Sequence, residues 1–100
     1  MAIQSRTLIQ TDHASKYLQQ LAKHWSHKLA DLTFDETTAH IPFRQGVILD
    51  MFANKDALEV QFITTDEDDA LKMEGVFDRH LERFAFRETL HIDWHRKTLA

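Results

Sequence analysis

GVILDMFANKDALEVQFI, residues 46–63, decides the fold. Val47, Leu49 and Met51 take every second place in its first half, and Leu58, Val60 and Phe62 do so in its second. A period of two marks strands with one buried face. The polar stretch ANKD (53–56) between them reads as the turn of a hairpin, so the two strands run antiparallel.

Working outward, the preceding chain offers a strand around Ala30–Phe34, a polar turn DETT (35–38), and a strand through Ala39, Ile41 and Phe43. Pro42 suits an edge or a strand end, because it donates no ladder hydrogen bond. Residues 2–10 read as a further strand, with Ile3, Thr7 and Ile9 on one face.

Between these strands lies a helical pattern. Ala14, Tyr17, Leu18, Leu21, Ala22, Trp25 and Leu29 keep the i, i+3, i+4 spacing of an amphipathic helix, which Thr11 or Asp12 can cap. Beyond the hairpin, Thr65 and Asp68 resemble a capping box, and Asp66–Asp69 set negative charge at a positive helix end. Ala70, Met73, Phe77, Leu81 and Phe84 then form the buried stripe of a second helix. In ETLHIDWHR (88–96), Leu90, Ile92 and Trp94 alternate with His91, Asp93 and His95, as in a last strand. The predicted order is β-α-β-β-β-β-α-β, a single α+β domain over residues 1–100 with two helices on one face of a mostly antiparallel sheet.

Composition narrows the function classes. A net charge of −4 disfavours a general nucleic-acid binder, which needs a basic surface. The absence of cysteine removes disulfides, thiol nucleophiles and thiolate metal sites. No run approaches the ~20 apolar residues that span a bilayer, and MAIQSRTLIQ lacks the apolar stretch of a signal peptide, so a cytoplasmic location is expected. Gly-rich phosphate loops and nucleophile elbows are also missing.

Histidines supply the candidate sites. In LAKHWSHK (21–28), His24 lies roughly 90° from the centre of the apolar stripe, and His27 points nearly opposite the core. Lys23 faces outward, while Lys28 falls nearer the core face. His80 sits at the edge of the second helix's stripe, where it either donates to a carbonyl or carboxylate or faces His24 across an inter-helix groove. A neutral imidazole there could answer pH or ligate a metal ion or haem. His91, Asp93 and His95 form a second candidate metal set, or simply the polar face of a strand. Arg79, Arg83 and Arg87 recur every four residues and either pair with Glu82 and Glu88 or meet an anionic ligand.

ASKYLQQLAKHWSHK (14–28) and HLERFAFRE (80–88) together resemble a bacterial family known as domain of unknown function number twenty-two eighteen, and the likeness runs from the first strand to LHIDW. IPFRQG departs from the family's shorter F-P-F-G turn. The resemblance implies a small α+β protein, found alone or fused to siderophore-interacting flavin reductases, and hence a role near iron acquisition. It implies functional positions at Lys23, His24, His27, Lys28, His80, Arg83, Arg87 and Glu88. The expected function is a non-enzymatic binding or accessory domain. Its expected partner is a flavin-dependent ferric-siderophore reductase or a small anionic ligand, with no nucleic acid or membrane, and homo-oligomerisation remains open. Its groove would have His24 and His80 as walls, Lys28 and Arg87 as anion contacts, and Trp25 and Phe84 beneath. A structural or protein-interaction domain without a ligand is the competing reading. A small His/Glu acid-base enzyme is the third.

Overall fold

In a computed structural model, which describes residues 2–99, these patterns become β1 (Ile3–Gln10), α1 (Ala14–Ser26), β2 (Thr33–Phe34) and β3 (Thr38–Arg44). They continue as β4 (Val47–Ala53), β5 (Ala57–Thr64), α2 (Glu67–Phe84) and β6 (His95–Thr98). The strands form one antiparallel sheet in the order β2-β3-β4-β5-β1-β6, and both helices pack on the same face of it. The expected fold class and element order are those of the molecule.

The hairpin is its centre. β4 and β5 pair from Ile48–Ile63 to Ala53–Leu58, with Val47, Leu49, Met51, Leu58, Val60 and Phe62 buried beneath the helices. Asn54 closes the turn, its Oδ1 accepting the N–H groups of Asp56 and Ala57 at 2.9 and 2.8 Å. Phe62 is fully buried, which contributes about 2–3 kcal/mol of apolar transfer energy. β1 joins the far side of β5 and turns Ser5, Thr7 and Ile9 inward. Pro42 lies on the part of β3 that β2 leaves unpaired, at a bulge between Pro42 and Arg44. Its missing N–H therefore breaks no ladder bond on that side. The β3–β4 turn needs Gly46: its φ is +82°, and a Cβ there would stand 2.7 Å from Thr65 Cγ2.

Several boundaries differ from the sequence reading. β2 has two residues rather than five, because Ala30–Leu32 follow the end of α1 without pairing. α2 is capped by Asp66, whose side chain accepts the Asp69 N–H at 2.7 Å, rather than by Thr65. His13 occupies the N-cap of α1 without a side-chain cap, and Thr11 accepts the His13 N–H from just upstream. α1 also ends at Ser26, so Leu29 reaches the core from a turn, not from the helix.

The last strand departs most. Residues 89–94 do not pair, and β6 begins only at His95, against Arg6 of β1. The alternation of Leu90, Ile92 and Trp94 is real, but it reflects packing on the core. Trp94 sits 5.9 Å from the Phe62 ring and 5.6 Å from that of Phe77, and its indole N–H donates to Asp78 at 2.9 Å.

Candidate functional site

α1 and α2 run antiparallel. Tyr17, near the start of α1, meets Glu88 just beyond α2, while His24, near the end of α1, meets His80 inside α2. A seam of polar and aromatic side chains follows the line where the helices touch.

At one end the His24 and His80 ring centroids are 4.9 Å apart. Phe84 lies 6.0 Å from His24, and Trp25 lies 5.3 Å from His80 and 5.1 Å from Phe43. The His80 Nδ1 is 2.6 Å from the Val76 carbonyl oxygen. A carbonyl only accepts, so Nδ1 carries the proton and the neutral ring keeps its lone pair on Nε2. This is the carbonyl-bonded alternative for His80 and the facing alternative at once. Burial holds the His24 pKa below its ordinary value, helped by the positive charges of His80, Arg83, Lys28 and His27.

At the other end the Tyr17 hydroxyl donates to Glu88 in a short contact, and the Thr11 hydroxyl donates to the same carboxylate at 3.2 Å. Burial and then the Glu88 carboxylate push the Tyr17 phenol up to about 12. Beside this pair opens a cleft of about 530 Å³, lined among others by His13, Lys16, Gln20, Phe84 and Arg87. The buried Oε1 of Gln20 has no hydrogen-bond partner among the described residues. Phe84, half-buried rather than sealed in the core, is shared by the cleft and the imidazole pair.

The basic residues do not gather as expected. Lys28 lies beyond α1 and lines a separate hollow with Pro42, Phe43, Arg44 and Gly46. Arg87 lies beyond α2, at the Tyr17 end of the seam. The two helices are antiparallel and each ends before its cation, so Lys28 and Arg87 sit at opposite ends and cannot clamp one ligand together. Lys23, His27 and Arg83 are exposed. Among the described residues Arg79, Arg83 and Arg87 form no ion pair with Glu82 or Glu88.

His91, Asp93 and His95 do not assemble into a metal site. His91 and Asp93 precede β6, so the three share no strand face, and only Asp93 and His95 approach, at 3.6 Å on the surface. Among the described residues no three His, Asp or Glu side chains come together to hold a metal. The imidazole pair thus offers two nitrogen donors without a third protein ligand, short of the three or four of a tight protein metal site. Glu88 is engaged by Tyr17 and Thr11, and among the described residues neither His24 nor His80 has a carboxylate partner.

Two polar clusters escaped the sequence reading. Tyr17 looked like a core residue, although its hydroxyl finds Glu88, 71 positions away. Glu74 is buried and accepts from Ser5 Oγ at 2.7 Å and from Arg96 Nε and an Nη at 2.6 and 3.0 Å. Its one sequence signal is its place, four residues after Ala70, on the apolar stripe of α2.

Among solved structures, the chain is similar to PA4090 from Pseudomonas aeruginosa, determined by NMR, with a TM-score of 0.77 and 29% identity over 93% of this chain and 95% of that one. No curated protein matches it. The model of DUF2218, described as an uncharacterized protein conserved in bacteria, matches residues 6–95, and the chain belongs to that family.

Proposed function

We propose that this chain is a small cytoplasmic binding domain whose site is the seam between α1 and α2, and that its ligand is an anionic chelate of ferric iron of the siderophore class. The observation that carries this reading is the His24–His80 pair, 4.9 Å apart and half-buried where the two helices meet. Arg83 and Lys28 place positive charge near His24. That field repels a bare metal cation and favours an anion, whose oxygens the cations and a His24 N–H can meet. The half-buried ring of Phe84 suits the rings of a catecholate-type chelate. In this reading the domain serves a flavin-dependent reductase of ferric siderophores by holding the chelate.

The test is a titration of the full chain with a ferric catecholate chelate, with zinc chloride in a parallel series. The His24 and His80 ring signals are followed by NMR, using a gallium chelate where ferric iron broadens them. The anionic chelate is expected to move both signals and zinc to move neither strongly, and His24→Ala and His80→Ala are each expected to weaken chelate binding about tenfold or more. Signals unmoved at millimolar chelate would end this reading.

A further inference from the structure

The helices cover only one face of the sheet. On the other, the strand pairings fix three cross-strand rows. One runs Phe52, Glu59, Leu8 across β4, β5 and β1. The next runs His40, Asp50, Gln61, Arg6, His95 across β3 to β6. The third runs Ile48, Ile63, Gln4, Lys97 across β4 to β6. Phe52 and Leu8 are 52% and 54% exposed, too open for core residues, and a hollow of about 780 Å³ lies over this face.

The pattern is organised about β5. One strand to its left stand Phe52 and Asp50, and one strand to its right, at the same heights, stand Leu8 and Arg6. Apolar answers apolar, and acid answers base. A two-fold axis parallel to the strands and above β5 would lay β4 of one copy over β1 of another. Each Phe52 then meets the other copy's Leu8, each Asp50 meets the other's Arg6, and Ile63 meets its own copy on the axis. Aligned packing of two such faces, ~10 Å apart, is ordinary sandwich geometry. A surface that answers itself in this way is what an isologous contact requires, whereas a different protein would impose no such symmetry. Among the described residues Arg6 forms no ion pair within the chain, and Asp50 engages His40 through Oδ1 at 2.6 Å, which leaves Oδ2 for the other copy's Arg6.

We propose that this open sheet face is the contact surface of a symmetric dimer of the chain, held by paired Phe52–Leu8 and Asp50–Arg6 contacts around β5.

Sedimentation equilibrium of the full chain from micromolar to millimolar concentration tests it. The wild type is expected to dimerise. Phe52→Glu is expected to abolish dimerisation, and Arg6→Asp and Asp50→Arg each to raise the dissociation constant at least about tenfold. The double variant Arg6→Asp/Asp50→Arg, which restores opposite charges, is expected to recover most of that loss. Glu59 faces its own copy across the axis, so Glu59→Gln should tighten the dimer. All four positions are on the sheet face away from the core, and unchanged circular dichroism confirms that each variant folds. A wild type that stays monomeric at millimolar concentration overturns the proposal. So does a dimer indifferent to both Phe52→Glu and the charge reversals, which would be using another surface.

Discussion

Glu74 and His80 stand less than two turns apart on α2, yet their surroundings differ in kind. Glu74 is 4% exposed, and its carboxylate oxygens are taken up by Ser5 and by two nitrogens of Arg96. The cluster ties α2 to β1 and to β6, an edge strand that pairs over four residues. His80 has one nitrogen committed to Val76 and the other uncommitted, beside a second imidazole kept neutral by burial and nearby cations. A polar cluster whose bonding capacity is used up inside the protein serves the fold. One left with capacity at a solvent-reaching seam is available to a ligand. Substitution should separate the two, since structural groups lose stability and binding groups lose affinity.

The largest effect is expected at the completed cluster. Glu74→Ala strands the Arg96 guanidinium and the buried Ser5 hydroxyl together. Breaking a buried pair costs about 3–5 kcal/mol, but Arg96 is 33% exposed and can turn to water, so a loss of about 2–3 kcal/mol is expected. Urea unfolding measures it, and amide exchange should show β6 opening first, at the residues paired with Ser5 and Arg6. A loss below about 1 kcal/mol would mean that the cluster is not what holds β6.

This contrast also explains what could be read without coordinates. The hairpin, β1 and the buried stripes of both helices were legible because each repeats at the period of its own backbone, two for Val47–Met51 and three to four for Ala14–Trp25. The strand expected in 88–96 forms only from His95, because alternation records packing on the core, and half-buried Trp94 meets Phe62 and Phe77 without any ladder partner. His24 and His80 were legible as a facing pair because both helices had to cover one sheet face. Lys28 and Arg87 were not, since each falls just past a helix end, where the helical period no longer says where a side chain points. The Ser5–Glu74–Arg96 and Tyr17–Glu88 bonds join residues remote in sequence, and no local pattern encodes such pairs.

Tyr17–Glu88 lies between the two extremes, because the phenol is buried while the carboxylate borders the cleft. Tyr17 is the chain's one tyrosine, so its ionisation can be followed alone by ultraviolet absorbance. The unfolded phenol ionises near 10 and the folded one at about 12. Between those values the unfolded state holds fewer protons, so stability is complete below pH 10 and falls as pH rises towards 12. Glu88→Gln removes the carboxylate's contribution and leaves burial, so the phenol should titrate lower but still above 10. Tyr17→Phe should lose about 1–2 kcal/mol at neutral pH and abolish the tyrosine's share of the alkaline decline. A wild-type phenol that titrates near 10 would show that neither the burial of Tyr17 nor its Glu88 contact holds in solution.

The smallest effect on stability is expected at the imidazole pair. His24 and His80 are both partly exposed, and His80→Ala gives up one hydrogen bond to a carbonyl that the helix already uses, so each alanine variant should lose about 1 kcal/mol or less. The sign with pH differs from that of Tyr17. Because the folded His24 resists its proton, the unfolded chain takes one first as pH falls through 6.5, and stability drops on the acid side. His80→Ala removes a positive neighbour, second only to burial among the causes of that resistance, so the His24 ring should titrate higher in the variant. The ring C–H shifts of His24 against pH measure this directly. An unchanged His24 titration would mean that the rings do not sense each other. A stability loss above about 2 kcal/mol would move the pair to the side of Glu74, since groups that hold the fold together are poor candidates for being left open to a ligand.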